Sequence, residues 1–298
     1  MKRIIDDAFL SMLESHDLCV KKKMNGLFGG NRRSAKYGSS TEFADYRKYE
    51  PGDDLRRIDG NLYARFQKLF IKLFTDERQL HHRIYLDTSS SMDWGEPKKS
   101  ETALRLAAAF AYLAVQSLDR VSIATLSNQD CTELCARFTG KEGFYAAANK
   151  LNRVTFEGES DIGKGLLSDY DFGSIGGLSI VISDFLTDSD WKSGIDRILH
   201  AGREVCLVRI LSRDEITPDF SGKVLMHDRE AINDDDSRHY KTEVTRSAIK
   251  AYEEALLWHQ NEIRSFADSR GISLITVCSD ESIEKMLFLK ATEANLIQ

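Results

Sequence analysis

Two short apolar runs, each ending on an aspartate, constrain this chain most. Leu178–Asp184 (Leu-Ser-Ile-Val-Ile-Ser-Asp) is the clearest buried strand, and Ile84-Tyr85-Leu86 is a shorter one that runs straight into Asp87. Around them, apolar runs alternate with helix-length stretches. Arg83–Asp87, Val121–Ser127, Thr132–Phe138, Glu204–Leu211 and Ile272–Cys278 read as strands. Glu101–Leu118 carries Ala and Leu on nearly every face and reads as a buried helix. Glu142–Leu151, Ile162–Tyr170, Trp191–His200 and Ser282–Ala291 read as further helices, and Val224–Met226 as a short strand. Val244, Ala248, Ala251, Ala255, Trp258, Ile263 and Phe266 recur near helical spacing along one long helix that Gly271 would end. Strands separated by helices imply right-handed crossovers, hence an α/β, doubly wound, mostly parallel sheet. The expected organisation is an N-terminal extension over 1–80, a main domain over 81–212, and its α/β continuation over 213–298.

Such a sheet binds ligands outside the carboxyl ends of its strands, where strand order reverses. Asp87 and Asp184 both stand at such ends. Asp87, Ser89 and Ser91 offer one carboxylate and two hydroxyls at i, i+2 and i+4. That oxygen-only set suits a hard cation such as Mg²⁺ or Mn²⁺. Along a straight strand the three would spread over roughly 13 Å, so the run of small residues Thr88-Ser89-Ser90-Ser91 must curl. Ser160, in Gly158-Glu159-Ser160-Asp161, is placed to cap a helix and offer a hydroxyl to the same crevice. The expected metal shell is therefore Asp87, Ser89, Ser91, Ser160 and Asp184, with a corner left for an incoming acidic side chain. Taken singly, each residue also reads as a cap or turn.

Charge narrows the partners. Residues 1–80 hold 16 Lys+Arg against 12 Asp+Glu, and residues 81–298 hold 25 against 35. A net charge of −6 with a pI near 5.7 argues against nucleic acid. No apolar stretch approaches the roughly 20 residues that span a bilayer, and Met1–Asp7 lacks the apolar segment of a signal peptide. These readings point to a cytoplasmic protein. Of five cysteines, Cys206 and Cys278 lie in apolar runs and read as buried free thiols.

Asp87, Ser89, Ser91 and Asp184 resemble, position by position, the metal-ion-dependent adhesion site (MIDAS) of von Willebrand factor A domains, with Ser160 where a Thr is usual. Upstream, Ser34, Gly38, Glu42-Phe43, Arg47–Asp59, Ala64-Arg65 and Lys72–Phe74 are similar to the bacterial family known as domain of unknown function 58. In that pattern Gly60 stands where the family has Trp. Its motif residues are Arg47, Tyr49, Pro51, Gly52, Asp53, Arg56, Asp59 and Arg65. They read either as a partner-binding surface or as a latch of the N-terminal part onto the main domain, built around a Pro51-Gly52 turn, with Asp53 and Asp54 as helix caps. The resemblance implies a partner or adaptor of a MoxR-type AAA+ ATPase in chaperone-like maturation, binding the ATPase or its client. The expected function is a non-enzymatic, metal-dependent protein-binding module. A metal-dependent phosphohydrolase is the alternative, but it wants a second Asp where Ser89 stands, and a serine cannot donate that proton at neutral pH.

Overall fold

The computed structural model describes residues 4–15, 43–51, 53–74, 80–171, 177–218, 222–227 and 239–286. The chain divides into two compact units, one of Gly29–Gln79 and one of Met1–Phe28 with Leu80–Gln298. This grouping differs from the 1–80, 81–212 and 213–298 division expected, because the first residues join the body that follows Gln79.

In the larger unit, strands β1 (His81–Asp87), β2 (Arg120–Ser127), β3 (Asp130–Phe138), β4 (Leu178–Ser183), β5 (Glu204–Leu211) and β6 (Ser273–Cys278) form one sheet. Its order is β3-β2-β1-β4-β5-β6. Only β3 runs antiparallel, as the return arm of a tight hairpin at Asn128, whose φ of 54° an Asn tolerates. The other pairs are parallel. Strand order reverses between β1 and β4. Asp87 and Asp184 thus flank the switch point of a doubly wound sheet.

Both faces of the sheet are covered. Ile84, Leu86, Ile180, Ile182, Val208 and Ile210 face α2 (Lys99–Gln116) and α3 (Gly140–Leu151). Tyr85, Val181 and Leu207 face α4 (Ile162–Ser168), α5 (Trp191–His200) and the end of α6 (Arg246–Arg270). The Ala-rich α2 is buried on almost every side, as its composition implies. One cover is the N-terminal helix α1 (Asp7–Ser15), which the sequence reading did not single out. Ile5 and Phe9 enter the core, and the Asn152 side chain accepts from Ile4 N (3.0 Å) and Ile5 N (2.9 Å).

The long helix stands where expected, and only its second half contributes buried residues. Ile263, Phe266 and Ala267 are buried, but Ala248, Ala251 and Ala255 are exposed, and Trp258 is 67% exposed. Helical spacing marked the stripe correctly, yet among the described residues nothing covers its N-terminal half. Gly271 ends the helix at φ 65°, its N–H turned back to Ala267 and Asp268. The Val224–Met226 run lies in an antiparallel hairpin, Gly222–His227 with His239–Val244, outside the six-stranded sheet. The helix expected over Ser282–Ala291 is described only as Ile283–Lys285, and its remainder lies outside the described residues.

The smaller unit pairs Phe43–Lys48 antiparallel with Phe70–Phe74 and adds a short helix, Gly60–Phe66. Several residues of its family motif bond to one another. Arg47 Nη2 donates to Asp53 Oδ1 at 2.7 Å, while Asp53 Oδ2 accepts from Glu50 N at 2.9 Å. Asp53 therefore closes the turn rather than capping a helix, and Asp54 caps Leu55–Arg57 by accepting from Arg56 N. Asp59 caps Gly60–Phe66 and also meets Tyr46 Oη (3.1 Å) and Lys72 Nζ (3.0 Å). Tyr49 N bonds to Leu69 O, Pro51 is exposed, and Arg65 sits in the last helical turn, where a cation is favoured. Gly52 lies outside the described residues.

Candidate functional site

Three loops meet at the carboxyl edge of β1 and β4. The first begins where β1 gives way to a 3₁₀ turn over Ser90–Asp93. This turn is the curl that the Asp-x-Ser-x-Ser spacing requires. Asp87 is 2% exposed. Its Oδ1 accepts from Ser89 N (3.0 Å), and its Oδ2 accepts from Ser183 Oγ (2.6 Å) at the end of β4. Ser89 and Ser91 bring their hydroxyls within 3.0 Å of each other. Thr88 anchors the loop to β2, its N–H and hydroxyl both donating to Leu126 O at 3.0 Å.

The second loop is stitched to the first by backbone. Ser90 N donates to Gly158 O (2.9 Å), and Glu157 N to Thr88 O (3.0 Å). Asn128 holds it from the hairpin side, donating to Glu159 O and accepting from Asp161 N. Ser160 does not cap the helix, contrary to expectation. Asp161 does, accepting from Lys164 N at 3.0 Å. With the cap taken, Ser160 Oγ is left buried with no hydrogen-bond partner. A buried orphan hydroxyl costs roughly 1–3 kcal/mol unless something fills its valence.

In the third loop Asp184 is also 2% exposed. Its Oδ1 accepts from Leu186 N (2.9 Å), and its Oδ2 accepts from Lys99 Nζ (2.6 Å). Lys99 opens α2 and is fully buried. Its ammonium also meets Glu215 Oε1 at 2.6 Å. Glu215 is itself fixed by a capping box with Ser212. Burial pushes the Lys99 pKa down, but Asp184 and Glu215 outweigh it and raise the pKa, so the ammonium stays charged. Nearby, Arg209 donates through Nε to Asp184 O.

The structure therefore brings Asp87, Ser89, Ser91, Ser160 and Asp184 to one edge. Burial and the Asp184 charge push the Asp87 carboxyl up to about 6. An orphaned hydroxyl in the second loop and a carboxylate in the first that resists ionisation are what an oxygen-ligated cation would relieve, so these residues fit Mg²⁺ or Mn²⁺. Asp184 is the exception, since Lys99 already offsets its charge.

Sequence reasoning missed Lys99, Glu215 and Ser183. Lys99 had a visible signal, a charged residue in the first turn of an otherwise buried helix. Glu215 had none, because its approach depends on β5 lying beside β4. Among the described residues no helix is long and apolar enough to cross a membrane.

An uncharacterised protein of Mycobacterium tuberculosis (strain ATCC 25618 / H37Rv) is 28% identical over 236 residues, 76% of this chain and 73% of that protein. The conserved hypothetical protein BatB from Bacteroides thetaiotaomicron overlays with a TM-score of 0.46 at 14% identity, covering 73% of this chain and 98% of that one. A von Willebrand factor type A structure from Catenulispora acidiphila overlays at 0.36 with 16% identity, covering 48% and 35%. Strand order, the Asp-x-Ser-x-Ser loop and the two facing loops together make the larger unit von Willebrand factor A-like. The family described as "Protein of unknown function DUF58" matches residues 45–261, so the motif around Arg47–Asp59 and the switch-point loops fall within one match and the chain belongs to that family.

Proposed function

We propose that this protein is a non-enzymatic, metal-dependent protein-binding module. Asp87, Ser89, Ser91 and Ser160 would hold Mg²⁺ or Mn²⁺, with Asp184 facing it. The ion, when bound, supplies a Lewis-acidic corner for an acidic side chain of a partner. The residues do the rest. Ser183 and the Ser89 N–H orient the Asp87 carboxylate, and the hydrogen bonds between Ser90 and Gly158 and between Glu157 and Thr88 hold the second loop at the first. The observation that carries this reading is the unpartnered Ser160 hydroxyl, buried in a loop tied by backbone to Thr88 and Ser90, just after Asp87. The partner class, a MoxR-type AAA+ ATPase or its client in the cytoplasm, follows from the family resemblance and belongs to the same proposal.

A phosphohydrolase is the weaker reading. Asp87 would have to be the nucleophile, but Ser89 stands where its general acid would be needed, its hydroxyl meeting that of Ser91. Calorimetry with millimolar Mg²⁺ or Mn²⁺ tests the proposal. Wild type should bind, and Asp87→Ala and Ser160→Ala should lose about tenfold or more in affinity. Co-purification with the neighbouring ATPase should fall with EDTA. Binding that ignores both EDTA and Asp87→Ala overturns the reading.

A further inference from the structure

Lys99 places a covalently tethered cation at the third loop of the site, on Asp184. Its ammonium takes Asp184 Oδ2 and Glu215 Oε1 at 2.6 Å each, and its side chain is wholly enclosed. Asp184 Oδ1 is held by Leu186 N. Both oxygens of Asp184 are thus engaged, and its negative charge is already offset. An incoming divalent ion meets the free charge of Asp87 alone. The bridge is also firmly built, because Glu215 is fixed by its capping box and by Tyr252, whose hydroxyl donates to Glu215 O at 2.9 Å.

We propose that Lys99 is the resident cation of this site and sets its affinity for divalent ions by keeping Asp184 paired. The inference rests on the metal reading above and concerns what regulates it. In the state described here, Lys99 ties the loop after β4 to the turn after β5. A divalent ion gains the full charge of Asp184 only by drawing that carboxylate away from the ammonium, which then keeps Glu215. Divalent binding and the Lys99–Asp184 bond are therefore antagonistic. The site is weak for Mg²⁺ at rest and is filled when something else helps to break that bond, such as an acidic partner arriving at the open corner.

The test is isothermal calorimetry with MnCl₂ and MgCl₂ on wild type, on Lys99→Met, and on the double variant Lys99→Met/Glu215→Gln. The double variant removes one positive and one negative charge together. It leaves the local charge unchanged and guards against misfolding from two uncompensated buried carboxylates. Freeing Asp184 should tighten divalent binding at least tenfold in both variants. Adding Asp184→Asn to the double variant should abolish the gain. Equal affinity in wild type and the double variant overturns the role of Lys99 and leaves the metal reading standing. Binding by the double variant but not by wild type supports Lys99 and retires metal dependence of the wild-type protein. No binding by any form overturns both.

Discussion

At the scale of single residues, the larger unit holds two buried titratable groups that work in opposite senses. His81 is held down to about 4, by burial first and then by Arg203, Arg137 and Arg83. Its folded pKa lies below the ordinary 6.5, so the stability it contributes is present above 6.5 and is lost as pH falls toward 4. Asp87 is pushed up to about 6, above its ordinary 3.8. Its ionised form costs stability above pH 6, and that cost fades as pH falls to 3.8. Difference curves against wild type should therefore slope in opposite directions. Without divalent ions, Asp87→Asn should gain stability relative to wild type at pH 7, by about 3 kcal/mol, and lose the gain near pH 4. His81→Asn should gain relative to wild type on acidification. Urea unfolding at several pH values measures both, and slopes of the same sign would refute the assignment. The residues of the site divide in the same local way. Asp87, Ser89 and Ser91 were legible because a strand end followed by alternating oxygens is a short-range pattern. The liberation of Ser160 was not, because it turns on which of two adjacent residues, Ser160 or Asp161, takes the helix cap.

At the scale of elements, the close crossing of α4 and α5 positions the second loop. Gly163 and Gly194 make it possible. A Cβ at Gly163 would lie 2.2 Å from Asp190 O, and one at Gly194 would lie 2.8 Å from Leu166 Cβ. Asp190 is also the cap of α5, so the clash would strike a fixed backbone. Gly163→Ala improves helix propensity by about 1 kcal/mol, but overpacking costs about 1–3 kcal/mol, so the variant should unfold at lower temperature. Because α4 begins two residues after Ser160, it should also weaken Mn²⁺ binding. A variant as stable as wild type would mean that the two helices separate freely. Most strands and helices of the sheet were readable from apolar runs, since each is buried on a whole face. The long helix α6 was legible as a helix ending at Gly271, but which half of it is buried was not, because periodicity reports a stripe and not what covers it. Leu257 and Trp258 stay exposed at 58% and 67%.

At the scale of the whole molecule, two units carry separate stabilising devices. In Gly29–Gln79 the central one is Asp59, held down to about 2 by the Leu62 N–H, then by Lys72, Tyr46 and the Asn61 N–H. A depressed carboxylate contributes stability above its ordinary 3.8 that is lost as pH falls through about 2. Asp59→Ala should therefore lower the amide protection factors (exchange relative to the intrinsic rate) at Asn61 and Leu62 at neutral pH, as acidifying wild type to about pH 2 should. The tryptophans Trp94, Trp191 and Trp258 all belong to the other unit, so their fluorescence reads that unit alone. Unchanged exchange in Asp59→Ala would show that the motif residues do not hold this unit together.

Taken alone, the sequence determined the α/β class, the strands that end on Asp87 and Asp184, and the oxygen-bearing side chains at the first of those ends, because periodicity and strand-end chemistry are encoded within a few residues. Only the tertiary structure decided that β4 pairs with β1 and that Lys99 reaches both Asp184 and Glu215. Those facts depend on contacts between residues from 85 to 116 positions apart. Such contacts arise from strand order and crossover packing, which no local pattern records.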